Sequence, residues 1–218
     1  LGVAAPEDVV VVTQEAYLFH VRDELAAEYP DRQIRIIDAR GASLGEGQHA
    51  IEAAQLRDQG RTVDEICDHV YRQIERMNQY FVVDHLKYIR KTGRLWGGAA
   101  LAGQLLQIKP LLFGDEEGHI VMRDKVRGKK KAIAATVDAV AAHAQGGTAY
   151  DQRCFVCHSE CPEDAAQMIA ALEDRFPKQR GRIRLCNIGP VIGSHSGTGT
   201  VAEGWIKDAV AFWEAQSM

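Results

Sequence analysis

Residues 188–200 read Ile-Gly-Pro-Val-Ile-Gly-Ser-His-Ser-Gly-Thr-Gly-Thr. Four glycines, the imidazole of His195 and the hydroxyls of Ser194, Ser196, Thr198 and Thr200 fall within this one stretch. Glycine lets the backbone pass through positive φ and come close to a ligand. Backbone N–H groups, hydroxyls and an imidazole together can hold a small anionic head group. A serine beside a histidine also raises nucleophilic catalysis, but a triad needs an acid to orient the imidazole, and the sequence places none. Binding is the simpler expectation: His195 donates to a carboxylate and Ser194 or Ser196 assists. Composition alone allows the plainer reading of a glycine-rich surface turn.

Two basic groups stand out in a chain of net charge −4. Arg127, Lys129, Lys130 and Lys131 precede an alanine-rich helix, where cations oppose the helix macrodipole and repel one another. A solvated helix start is the bland reading; a phosphate or a docking partner is the functional one. Arg90, Lys91 and Arg94 surround Gly93 and form the second group. Converging, the two would make an anion-docking surface.

Cys154-Phe-Val-Cys-His158 matches the pattern for covalent c-type haem attachment, with Met168 as a formal axial ligand. Cys154, Cys157, Cys161 and His158 could also be arranged around zinc. The pentapeptide falls where a strand is expected, strand cysteines commonly serve as small hydrophobes, and the spacing is not that of a paired zinc knuckle. The expectation is no metal and no haem.

The elements that position these groups follow from periodicity. Residues 9–13 and 34–38 are short β-branched runs, expected as buried parallel strands. Residues 17–29 carry a helical apolar stripe. A loop at 41–47 opens a helix at 48–59, and Thr62 with Glu65 forms a capping box for a helix presenting Ile66, Val70, Ile74 and Met77. Alternating strands and helices imply an α/β layer with a parallel sheet. Ligands of such sheets sit beyond the carboxyl ends of the strands, where Thr13, Asp38 and Ser43 fall. From residue 79 the pattern becomes α+β: a strand at 80–84, a short helix at 85–91, a small-residue helix at 99–106 and a hairpin of 108–113 with 119–123. A helix at 127–144, a strand at 154–158, a helix at 162–176 and a strand at 183–188 follow. An amphipathic helix at 202–216 closes the chain. The fold class is α/β, in two domains, 1–78 and 79–218.

Composition excludes some function classes. The mildly acidic balance gives no global drive toward nucleic acid. No apolar run reaches about 18 residues, so no integral membrane segment is expected. Five cysteines, unevenly spread, fit reduced cytoplasmic thiols better than a disulfide framework. A P-loop, a dinucleotide fingerprint and paired metal-binding carboxylates do not occur.

Five segments resemble, in the same order, the DegV family of fatty-acid-binding proteins. They are residues 38–47, 80–94, 108–111, 126–132 and 188–199. The resemblance implies two α/β domains with a long-chain fatty acid in an apolar tunnel between them. It implies a carboxylate held by first-domain hydroxyls and by a histidine that here is His195. It also implies that a fatty acid kinase phosphorylates the presented acid to an acyl phosphate, the carrier itself being no enzyme. In that setting Arg90, Arg94, Arg127, Lys129 and Lys130 would dock the kinase or steady the acyl phosphate. Family members carry roughly 70 further N-terminal residues and a hydroxyl-rich loop after the strand matching residues 9–13, which leaves the first-domain ligands unassigned. The competing reading is a phosphoryl- or acyl-transferase that uses the Gly-rich segment as a phosphate site.

Overall fold

The computed structural model describes residues 8–13, 17–95 and 107–206. The chain divides into two compact units, Leu1–Glu75 and Arg76–Met218.

The first unit contains β1 (Val9–Thr13), α1 (Leu18–Glu28), β2 (Ile34–Asp38), α2 (Leu44–Asp58) and α3 (Val63–Ile74). β1 and β2 run parallel with Val9 opposite Ile34 and Thr13 opposite Asp38. Val12 and Ile37 pack with Ala53 of α2 and with Val63, Ile66, Val70 and Ile74 of α3. The i, i+3/i+4 spacing of those α3 residues is why that helix forms against the sheet. Its start is fixed by the expected capping box: Thr62 Oγ1 accepts from the Glu65 N–H at 3.2 Å, and Glu65 Oε2 accepts from the Thr62 N–H at 2.9 Å. Met77, expected on this helix, belongs instead to the next strand. α2 starts at Leu44 rather than 48, so part of the expected loop is helical.

The second unit contains β3 (Met77–Val82), α4 (Lys87–Lys91), β4 (Ile108–Gly114), β5 (Ile120–Arg127), α5 (Lys129–His143), β6 (Phe155–Ser159), α6 (Pro162–Arg175), β7 (Arg184–Asn187), α7 (Pro190–Ser196) and β8 (Thr200–Ile206). Its sheet has the order β5-β4-β3-β8-β6-β7. Only β6 and β7 pair in parallel; the other neighbours are antiparallel. Side chains alternate across a strand. Tyr80, Val82, Leu111, Val156, Val201 and Trp205 therefore meet Ala132, Val137 and Val140 of α5 and Met168 and Leu172 of α6 on one face. Val83 and Leu112 join Ile89 of α4 in a smaller cluster, with Phe81 against it.

Two expectations are corrected here. The Gly-rich segment is not a loop: Pro190 takes the first helical position, where its missing N–H is no loss, and the chain stays helical through Ser196. The helix expected at 202–216 begins within a strand, because Ala202–Ile206 lie in β8 between β3 and β6. The remainder of that expected helix, and the one at 99–106, lie outside the described residues.

Candidate functional site

The strand registers bring the four family-like segments of the second unit to one end of its sheet. β3 leaves the sheet toward Asp84, β4 enters it through Lys109, β6 ends at Ser159 opposite Thr200, and β5 ends at Arg127 opposite Ile108. α7 lies at the same end, because β7 runs parallel to β6 and leads into it through Ile188, whose N–H donates to His158 O at 2.8 Å.

On α7 the three candidate side chains differ. Ser194 is exposed and its hydroxyl donates to Val191 O at 2.7 Å. His195 is half-buried, and its buried Nδ1 has no hydrogen-bond partner among the described residues. Ser196 is buried, and its Oγ likewise has none. Buried polar atoms are nearly always partnered; these two lack a partner on consecutive residues, as Gln48 Oε1 and both ring nitrogens of His49 do in the first unit.

What holds α7 there was only partly visible in sequence. Gly197 adopts φ 82° and ψ 171°, a region open essentially to glycine alone, and a Cβ built on it would lie 2.3 Å from Tyr88 Cδ2 of α4. α4 is thus pressed onto the end of α7. Gly199, at φ 76°, leaves no more room: a Cβ there would lie 2.2 Å from Asp84 Oδ2. Asp84 is itself clamped. Its Oδ1 accepts from Lys109 Nζ at 2.8 Å and from Lys129 Nζ at 2.7 Å. Lys129 also donates to Gly199 O and sits 3.5 Å from Asp164 Oδ2. Burial pushes the Asp84 carboxyl upward, but the two lysine hydrogen bonds outweigh that and hold it below its ordinary value. Lys109 and Asp84 were not singled out from sequence. The available signals were a lysine inside an apolar strand and an acid directly after Val82-Val83.

The basic residues separate accordingly. Arg90, Arg94, Arg127 and Lys130 are exposed. Lys129 points inward, its side chain 15% exposed. The cluster that seemed unfavourable at a helix start is relieved by the carboxylates of Asp84 and Asp164.

In the first unit, Thr13 and Asp38 lie side by side at the carboxyl ends of their strands. Ser43, just before α2, has φ 55° and ψ −117°. A non-glycine residue held there is strained, and such strain gathers at functional sites.

The cysteine pentapeptide lies along a strand. Alternation sends Cys157 to the opposite face from His158, so the pair cannot close on one haem or metal. Among the described residues no group of three or more His, Cys, Asp or Glu could hold a metal ion. No helix among them is long and apolar enough to cross a membrane.

A family model described as "Uncharacterised protein, DegV family" matches residues 18–208. The chain belongs to the DegV family. A DegV domain-containing protein of Clostridium perfringens is 35% identical over 187 residues, which is 86% of this chain and 63% of that protein. The DegV chain here therefore spans about three fifths of the length of such curated relatives. Among solved structures, a fatty acid binding DegV family protein from Streptococcus agalactiae has a TM-score of 0.75 at 30% identity, covering 91% of this chain and 70% of that one. The Streptococcus pneumoniae Fatty Acid Kinase (Fak) B3 protein, loaded with linoleic acid, has a TM-score of 0.79 at 19% identity, covering 93% and 72%. At that identity the likeness is one of fold.

Proposed function

We propose that this DegV chain binds a long-chain fatty acid and presents its carboxylate for phosphorylation by a fatty acid kinase, acting as a carrier rather than a catalyst. The observation that carries the reading is the pair of orphan polar atoms, His195 Nδ1 and Ser196 Oγ, on consecutive residues of α7. A carboxylate only accepts hydrogen bonds. An imidazole N–H and a hydroxyl are the donors it needs, and both are without an acceptor among the described residues. Ser194 suits the role less well, because its proton already goes to Val191 O; it braces the helix instead. The S. agalactiae relative, a fatty acid binding protein at 30% identity, supports the ligand class. Affinity comes mainly from the tail, at about 0.8 kcal/mol per buried methylene, while the head group supplies orientation.

The exposed Arg90, Arg94, Arg127 and Lys130 form the face that meets the kinase or its phosphate. Lys129 drops out of that role and holds the site together from within. Native mass spectrometry of the purified full-length protein, followed by solvent extraction, tests the reading. A stoichiometric long-chain fatty acid is the expected result, and its addition with ATP and the kinase yields an acyl phosphate. Bare protein, or acyl phosphate turnover by the protein alone, overturns the carrier reading in favour of a transferase.

A further inference from the structure

The register of β6 and β7 places Cys157 directly opposite Cys186. In a parallel pair, residues in register share a face of the sheet. That face is the one turned away from α5 and α6, since Cys154 and Val156, on the other parity, pack among the residues of those helices. Neighbouring strands lie about 4.8 Å apart, inside the roughly 4.4–6.8 Å window of Cα separations that a disulfide spans. Both residues are in the thiol form. Cys157 is 2% exposed, whereas Cys186 is half-exposed on the edge strand, where a small oxidant reaches it.

We propose that Cys157 and Cys186 form a redox-responsive dithiol, oxidised by peroxides to an intramolecular disulfide and restored by thiols. The two thiols lose two protons and two electrons and a sulfur–sulfur bond forms. One hydrogen peroxide accepts both and becomes two waters. A dithiol reductant returns the pair by exchange through a mixed disulfide. A bridge between directly paired strands departs from relaxed disulfide geometry, and strained bridges are the readily reduced ones. The placement gives the chemistry a consequence. β6 ends two residues later at Ser159, and β7 leads through Ile188 and Gly189 into α7. The bridge ties β7, which leads into the His195 helix, to its neighbour β6.

Hydrogen peroxide treatment of the full-length protein, thiol blocking and tryptic mass spectrometry test this. Trypsin yields one peptide of residues 154–175 and one of 185–207, the latter holding Cys186 as its only cysteine. The expected product is these two peptides joined with the loss of two hydrogens, fragment ions placing the bond at Cys157. The link disappears on dithiothreitol treatment and in C157S and C186S, and it persists in C154S and C161S. Absence of the link, a bond to Cys154 or Cys161, or two copies joined through Cys186 overturns the proposal. None of these readouts depends on bound lipid, so the result stands apart from the carrier reading.

Discussion

Lys129 Nζ lies 2.7 Å from Asp84 Oδ1, and the same ammonium donates to the backbone oxygen of Gly199. A residue that in sequence belongs to a surface basic run thus ties the end of β3, the start of α5 and the turn before β8. Lys129→Met should cost about 1–3 kcal/mol, the usual range when a charged hydrogen-bonding group loses its partner. Lys130→Glu should leave stability within about 0.5 kcal/mol, as surface changes do. Urea unfolding of both variants checks the contrast; equal losses would remove Lys129 from its structural role.

The same pair sets an acid limb. The Asp84 carboxyl titrates lower in the folded chain than its ordinary 3.8, so its contribution is present above that value and is lost as pH falls through the folded pKa. Asp84→Asn removes this dependence. Between pH 5 and pH 2.5 the variant should lose less of its unfolding midpoint than the parent does, and parallel curves would refute the assignment.

Gly197→Ala and Gly199→Ala should each destabilise by at least about 1–3 kcal/mol, the cost of holding a side chain in such backbone regions, before the contacts with Tyr88 and Asp84 are counted. Thermal melts measure it. A variant as stable as the parent would show that α4 and α7 are not pressed together as described.

His195→Ala should lower fatty acid affinity about 10- to 100-fold, the equivalent of one hydrogen bond to a charged group, with no shift in unfolding midpoint of the lipid-free protein. Lys130→Glu together with Arg90→Glu should slow phosphorylation by the kinase while leaving lipid occupancy intact. Parallel losses in both assays would contradict the division between head-group and docking residues.

Glu203 provides a pH test of the opposite sign. It is 2% exposed in β8, between Tyr80 and Val156. Burial raises its pKa well above the ordinary 4.5. Its contribution is fully present below the unfolded value and is lost as pH rises through the folded one. Glu203→Gln carries no charge at any pH, so its advantage over the parent should grow between pH 5 and pH 8 in urea melts. A gap that does not widen would sink the idea.

Much of the fold was legible because local signals agreed with it. The valine run of β1, the Thr62–Glu65 box and the apolar spacing of α3 each specify their element without help from elsewhere. Failures came where the partner decides. Residues 190–196 contain two serines and a glycine, yet they wind into a helix begun by Pro190 and capped by Gly197, whose positive φ and contact with Tyr88 both require glycine. Thr-Val-Ala-Glu-Gly-Trp-Ile contains alanine, glutamate and glycine, poor strand formers; lying between β3 and β6 makes it a strand. His195 and Ser196 could be named from composition. Their distinction from Ser194 could not, since it rests on which hydroxyl reaches Val191 O.

The position of β8 carries a consequence for how the chain folds. This strand is the last in the described sequence and sits third from one edge of the six, joining β3 on one side to β6 on the other. Met77, at the start of the unit, pairs with Ile206, the last described residue. Until β8 docks, β5-β4-β3 and β6-β7 are two partial sheets, each with an open inner edge. The closing contacts are the most distant ones in sequence, and such topologies fold slowly because loop closure must precede the contacts that reward it. During synthesis the second unit therefore waits for β8, and a chain halted before Thr200 would expose both edges to pairing with other chains.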